Sequence, residues 1–239
     1  QKISTTVSLP VYIDDYLRLS YPKGIVINGV IGGEALPCQK KKEVIYFLGA
    51  RYAFLRKHFL HISAKKIRRE TKDILVTFCG IDLSVFTRKM FDYILPKFPE
   101  YHFHIVCTSL RHKLGSIGRN CRFYGRLNAK MMRQLMLRCD IAITGGGQTT
   151  NELAICRVPM VGILFVDNQR FNLKGWQKQG ALINVGHYKS RDVLKRIERA
   201  LSFLDFKMRK KMSQASKKVI DGKGAIRVAE KILESFRET

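Results

Sequence analysis

The sequence is short of acid. Its 239 residues carry 19 Asp and Glu against 44 Lys and Arg, a formal net charge of +25. Such a field favours anionic partners: nucleotides, nucleic acid or an anionic membrane surface. Other absences narrow the choice. No apolar run reaches the roughly 18 residues that a membrane-crossing helix needs, so no transmembrane segment is expected. The first ten residues lack the charged start and apolar stretch of a signal peptide. No aromatic stripe alternates with the basic residues as in a single-strand binder, so no specific nucleic-acid site is expected. There is no internal repeat and no low-complexity segment. None of the six cysteines (Cys38, Cys79, Cys107, Cys121, Cys139 and Cys156) stands in a CxxC pair. Most lie in apolar runs, which reads as buried, reduced thiols in a cytoplasmic protein rather than a disulfide framework or a zinc site. The denser basic stretches are Lys40–Lys42, Lys65–Arg69 and Arg209–Lys211, and two of them read as the solvated faces of a linker and a helix.

What is present is a regular alternation from Lys72 onward. Short β-branched runs (Asp73–Cys79, His102–Cys107, Arg122–Tyr124, Ile141–Thr144, Met160–Phe165, Ala181–Val185) alternate with amphipathic ones (Ser84–Leu95, Lys130–Arg138, Thr149–Cys156, Gln169–Gln179). Residues 191–236 read as two or three further helices, broken at Asp221–Gly224. This pattern predicts an α/β fold with a parallel sheet covered by helices on both faces. The first part differs. Val11–Asp14, Ile25–Ile27 and Val44–Leu48 are strand-like, but no long helical segment accompanies them. Residues 1–60 therefore read as the remnant of an incomplete N-terminal Rossmann-like domain. Residues 61–71 read as a linker, 72–220 as a nucleotide-binding Rossmann-like domain and 221–239 as a C-terminal helix.

Three segments at strand ends carry chemistry. Thr144-Gly145-Gly146-Gly147-Gln148-Thr149-Thr150-Asn151-Glu152 runs from a strand into a helix. Its glycines permit close backbone approach, and a helix N-terminus offers N–H groups to an anion such as pyrophosphate. Glu152 lies one turn further on, where its carboxylate can accept from a ribose diol. The alternative is a tight turn with a capping threonine. Phe78-Cys79-Gly80-Ile81-Asp82-Leu83-Ser84 also joins a strand to a helix, so Gly80 and Asp82 are expected on the same edge of the sheet; capping by Asp82 or Ser84 is the other reading. Val166-Asp167-Asn168-Gln169-Arg170 follows a third strand, and the side chains of Asn168 and Gln169 suit sugar hydroxyls and phosphate oxygens; helix capping by Asp167 or Asn168 is the other reading. Asp14-Asp15 is not expected to hold a metal, since neighbours on a strand face opposite ways, and no cofactor is implied.

Taken in order, these motifs, with a DGxGAxRV-like segment at Asp221–Val228, the Tyr12-Ile13-Asp14-Asp15 strand end and Gly49-Ala50-Arg51-Tyr52-Ala53-Phe54-Leu55-Arg56, resemble a known family. It is that of the UDP-2,4-diacetamido-2,4,6-trideoxy-altropyranose hydrolases of pseudaminic acid biosynthesis, which is similar to MurG-type glycosyltransferases of the GT-B fold. The resemblance runs from about Val11 to Glu230. It implies two Rossmann-like domains and a UDP-sugar substrate. Uracil would lie against backbone around Phe123, Tyr124 and Gly125, ribose against Glu152, pyrophosphate against Gly145, Gly146, Gly147, Gln148 and Thr149, and the sugar side against Asn168 and Gln169. It implies attack of water on the anomeric carbon with departure of UDP. The family's GxGH loop, whose histidine serves as its base, has no counterpart among these residues; the catalytic group is expected upstream of Gln1. Cys79-Gly80-Ile81-Asp82 also departs from the family's GGSDP. A glycosyltransferase using a UDP-sugar donor, and a UDP-sugar-binding subunit whose N-terminal half is supplied by a partner chain, are the alternative readings.

Overall fold

A computed structural model describes residues 6–17, 19–37, 39–62, 65–78, 84–107 and 120–237. Two parallel sheets organise the chain. The smaller has the order β1-β2-β3, from β1 (Val11–Ile13), β2 (Gly24–Asn28) and β3 (Val44–Leu48). The larger is built from β4 (Asp73–Thr77), β5 (His102–Val106), β6 (Cys121–Tyr124), β7 (Ile141–Gly145), β8 (Met160–Leu164) and β9 (Leu182–His187). Its order is β6-β5-β4-β7-β8-β9, all parallel. Counting from β4, this is the doubly wound order 3-2-1-4-5-6, whose direction of winding reverses between β4 and β7.

Strand alternation sets the two faces of the larger sheet. Ile74, Val76, Ile141, Ile143, Val161 and Ile163 turn to one side and meet Phe86, Met90 and Phe91 of α1 (Ser84–Ile94) and Ile197 and Leu201 of α5 (Val193–Phe203). Leu75, Ala142, Met160 and Leu182 turn to the other. There they meet α2 (Ala129–Arg138), α3 (Thr149–Ile155) and α4 (Arg170–Lys178) through Met136, Leu153 and Trp176. Two helices complete the chain, α6 (Phe206–Val219) and α7 (Gly224–Arg237). The parallel sheet with helices on both faces thus follows the sequence pattern. The small sheet does not lack a covering helix, however. Val228 and Ile232 of α7 pack on Ile25, Ile27 and Phe47, so the cover arrives from the far end of the chain. Local periodicity near residues 1–60 carries no sign of this. β1 is also shorter than its sequence suggests. It ends at Ile13, and the Asp14 carboxylate accepts from Tyr16 N (2.8 Å) and the Tyr21 hydroxyl (2.5 Å) in the following turn. The rule for neighbouring strand residues therefore does not govern the Asp14-Asp15 pair.

Lys65 and Arg68 of the basic stretch 65–69 are tied inward, while Lys66 and Arg69 are exposed. The Arg68 guanidinium bridges Asp73 (2.8 Å) and Asp140 (2.6 Å), two buried carboxylates at the N-terminal edge of the sheet. Lys65 donates to the carbonyls of Met136 and Cys139 at the end of α2. Cys139 and Cys156 are buried free thiols pushed up to about 12 by desolvation, whereas Cys38 and Cys79 lie outside the described residues. Among the described residues no helix is long and apolar enough to cross a membrane, and no cluster of His, Cys, Asp and Glu could hold a metal ion.

Burial lowers the Lys65 ammonium from 10.5 to about 8. Between these values the unfolded chain holds a proton that the folded chain has lost, so stability gains from this group as pH rises. Urea titrations of the native protein and Lys65→Met should show the native protein gaining stability relative to the variant between about pH 8 and 10.5. A difference that stays flat across that window would show that Lys65 titrates normally.

Candidate functional site

Because every strand of the larger sheet runs the same way, the turns after β4, β7 and β8 leave the same edge, and these strands are neighbours in the order β4-β7-β8. The turns flank the point where the winding reverses, the usual seat of ligands in open α/β sheets. Gly80 and Asp82, in the turn after β4, lie outside the described residues.

The turn after β7 is braced from beneath. The Asn172 amide donates to Gly146 O (2.8 Å) and Thr150 Oγ1 (2.8 Å), and Trp176 Nε1 donates to Thr150 Oγ1 (3.1 Å). These two residues stand four apart on α4 and so share a face. Packing by itself requires glycine at Gly145 and Gly146. A Cβ on Gly146 would come within 2.6 Å of Leu173 and 2.8 Å of Gln169, and one on Gly145 within 3.1 Å of Phe165. With the turn fixed, the N–H groups of Gly147 and Gln148 donate to no acceptor among the described residues. They are neighbouring donors just ahead of Thr149, the first residue of α3. Two adjacent backbone donors of this kind make an anion receptor.

Glu152 sits one turn inside α3 with its side chain 7% exposed, and Arg56 grips it side-on: Nε to Oε1 at 2.6 Å and Nη2 to Oε2 at 2.8 Å. The carboxylate holds Arg56 above the ordinary guanidinium range. A carboxylate has about four acceptor positions and the Arg fork uses two, which leaves two for hydroxyl donors. Gln148 donates its side chain to Phe54 O (2.6 Å), two residues from Arg56. Gln169 is turned inward, its Oε1 accepting from Phe165 N (3.2 Å), so it shapes the turn after β8. Asn168 faces outward onto a cavity of about 490 Å³, shared with Phe171 and, across from them, Asp15, Tyr16 and Val30 beyond the ends of β1 and β2. Burial, and then the neighbouring Asp14, raises the Asp15 carboxyl above its ordinary value.

Phe123 and Tyr124 lie on the edge strand β6, three strand spacings or about 14 Å from β7. The Tyr124 hydroxyl meets His104 Nδ1 (2.9 Å), His104 Nε2 meets Asp73 (2.7 Å), and the Tyr124 carbonyl accepts from Cys107 N (3.1 Å). Tyr124 is therefore anchored by side chain and carbonyl alike, while Gly125 beside it is exposed. Arg56, Asn172, Trp176 and Asp15 were not singled out as site residues from the sequence. Arg56 left a signal as the last residue of the GARYAFLR segment, and Asp15 as the last of Tyr12-Ile13-Asp14-Asp15.

Removing Arg56 leaves a buried carboxylate without its cation. Arg56→Ala should lower the unfolding free energy by about 1–3 kcal/mol in urea titrations. Arg56→Lys should recover only part of this, because an ammonium cannot reproduce the fork. A loss below about 0.5 kcal/mol would class the contact with ordinary surface pairs.

No family model matches the chain. It is 26% identical over 161 residues (67% of this chain, 30% of the other) to the Helicobacter pylori pseudaminic acid cytidylyltransferase and UDP-2,4-diacetamido-2,4,6-trideoxy-beta-L-altropyranose hydrolase. It is 27% identical over 160 residues (61% of this chain, 33% of the other) to protein MJ1062 of Methanocaldococcus jannaschii. The chain thus spans about a third of the length of the curated relatives it matches. Among solved structures, a putative UDP-N-acetylglucosamine 2-epimerase from Listeria monocytogenes superposes with TM-score 0.66 at 19% identity, covering 97% of this chain and 69% of that one. MurG of Acinetobacter baumannii superposes with TM-score 0.61 at 13% identity, covering 94% and 66%. At these identities the likeness is one of fold: the chain has the Rossmann-like α/β architecture of GT-B glycosyltransferases and sugar-nucleotide epimerases.

Proposed function

We propose that the chain binds a UDP-sugar along the C-terminal edge of its larger sheet, and that the enzyme it represents is a hydrolase releasing UDP by attack of water at the anomeric carbon. The observation that carries the nucleotide reading is the pairing of two open backbone donors at Gly147 and Gln148 with a pre-oriented carboxylate at Glu152 one helical turn away. Donors of the first kind suit the diphosphate, and an acceptor of the second kind suits the ribose diol. The base would reach across β4 and β5 to the exposed backbone at Gly125, with the span of about 14 Å accommodating an extended nucleoside diphosphate. The sugar would fill the cavity beside Asn168, with Asp15 and Tyr16 on its opposite wall. Fixed N–H donors at the leaving diphosphate would supply electrostatic stabilisation of the departing group. On this reading residues 72–220 are the nucleotide-binding unit and residues 1–60 belong to the domain that closes on the sugar. Hydrolysis is favoured over transfer by the likeness in sequence to the Helicobacter pylori protein. The MurG-like fold supports a glycosyltransferase as the second reading.

Calorimetric titration with UDP tests the nucleotide site. Glu152→Gln should weaken UDP by about tenfold, the cost of replacing a charged hydrogen-bond acceptor by a neutral one. Asn168→Ala should leave UDP unaffected and weaken the UDP-sugar alone. Absence of heat and of a thermal shift with UDP would overturn the assignment. Release of UDP and free sugar without an acceptor selects the hydrolase, whereas release that depends on an added acceptor selects the transferase. Turnover that appears only with a second polypeptide selects the partner-chain reading.

A further inference from the structure

The positive charge is far more than a diphosphate requires, and one element concentrates it. Helix α6, FKMRKKMSQASKKV, holds six basic residues and no acid. Arg209 is turned inward, 1% exposed, donating to Leu204 O (3.2 Å) and Arg69 O (2.8 Å). The other five, Lys207, Lys210, Lys211, Lys217 and Lys218, are exposed, and none forms an ion pair among the described residues. At about 100° per residue all five fall within an arc of about 120°, opposite the buried side formed by Arg209, Met212 and Ser216. Lys207 and Lys210 stand near the helix N-terminus, where cations oppose the helix dipole, so folding does not account for their placement. At the same end, Phe203 and Phe206 are 59% and 36% exposed. The bond from Arg209 to Arg69, a few residues before β4, sets α6 at the N-terminal edge of the sheet. The lysine face therefore looks away from the turns that form the nucleotide site.

We propose that α6 and the Phe203–Phe206 turn form a docking surface for an anionic lipid bilayer. The helix lies along the surface with its lysines among the headgroups and the two phenyl rings in the interface. Charge complementarity supplies the attraction, about one phosphate-facing lysine per headgroup contact, and the rings supply apolar burial that water denies them. The pairing of a lysine face with two rings gathered at one end fits a bilayer better than a single-stranded nucleic acid, which would call for aromatics interleaved along the basic track. Docking this way leaves the sugar-nucleotide cleft open to solvent on the opposite rim.

The test is co-sedimentation of the full chain with vesicles of equimolar phosphatidylcholine and phosphatidylglycerol, against vesicles of phosphatidylcholine alone. Binding should be confined to the anionic vesicles and fall as salt is raised. Each Lys→Gln on this face should weaken it by about fivefold, and the five together should abolish it. Phe203→Ser with Phe206→Ser should weaken it by about tenfold with every lysine in place. Thermal melting should show all variants folded, since none of these side chains is buried. The proposal is overturned if the five-lysine variant sediments like the native protein or if both vesicle types bind equally. It is equally overturned if the double phenylalanine variant is unaffected while single-stranded RNA displaces the vesicles, which marks a general polyanion surface. None of these outcomes depends on UDP binding, so failure of the nucleotide reading leaves them separately readable.

Discussion

The contact between Arg56 and Glu152 sets the geometry on which the rest depends. A carboxylate 7% exposed would be costly on its own, and the guanidinium fork both neutralises and aims it. Arg56 closes the segment Gly49–Arg56, and that segment is held along its length. Phe54 O receives the Gln148 side chain (2.6 Å), Arg51 O receives Arg227 (2.9 Å), and Gly224 approaches Ala53 so closely that an added Cβ would sit 2.2 Å from its carbonyl oxygen. One short strap therefore joins the turn after β7, the small sheet and the C-terminal helix. If it shifted, the candidate ribose carboxylate, the candidate diphosphate turn and the cavity wall would lose their common frame.

A second frame starts at the opposite edge of the larger sheet. Arg68 neutralises Asp73 and Asp140, Asp73 holds His104, and His104 holds Tyr124. Burial keeps the His104 imidazole below its ordinary value despite the carboxylate beside it, and both ring nitrogens have partners, Nδ1 at Tyr124 and Nε2 at Asp73. The result is an unbroken polar chain from the stretch before β4 to the strand that borders the proposed uracil position. Such chains specify geometry when every member is satisfied. They also give the basic residues of the connecting stretch a structural use distinct from the solvent-facing lysines of α6.

The basic residues divide into two kinds by what they contact. Arg56, Arg68 and Arg209 are absorbed by carboxylates and carbonyls of the fold. The lysines of α6 form no ion pair among the described residues. Arginine's planar fork suits the first task and the compact, strongly hydrated ammonium of lysine suits the second.

The sequence by itself determined the α/β class, the order of strands and helices after Lys72, and the position of the three turns at strand ends. Hydrophobic period and glycine placement are local properties, and the parallel sheet turns them directly into faces and edges. It also carried the segments GARYAFLR, GGGQTTNE and DGKGAIRV, each visible as a motif. Only the tertiary structure decided that GGGQTTNE and DGKGAIRV both meet the GARYAFLR segment, that Glu152 is gripped by a residue 96 positions away, and that Gly145 and Gly146 make room for Phe165, Gln169 and Leu173. It decided too that the last helix covers the first sheet, and that Gln169 turns inward where Asn168 turns out. These are pairings across long stretches of chain. They depend on which surfaces packing brings together, and no local pattern of residue types encodes that choice.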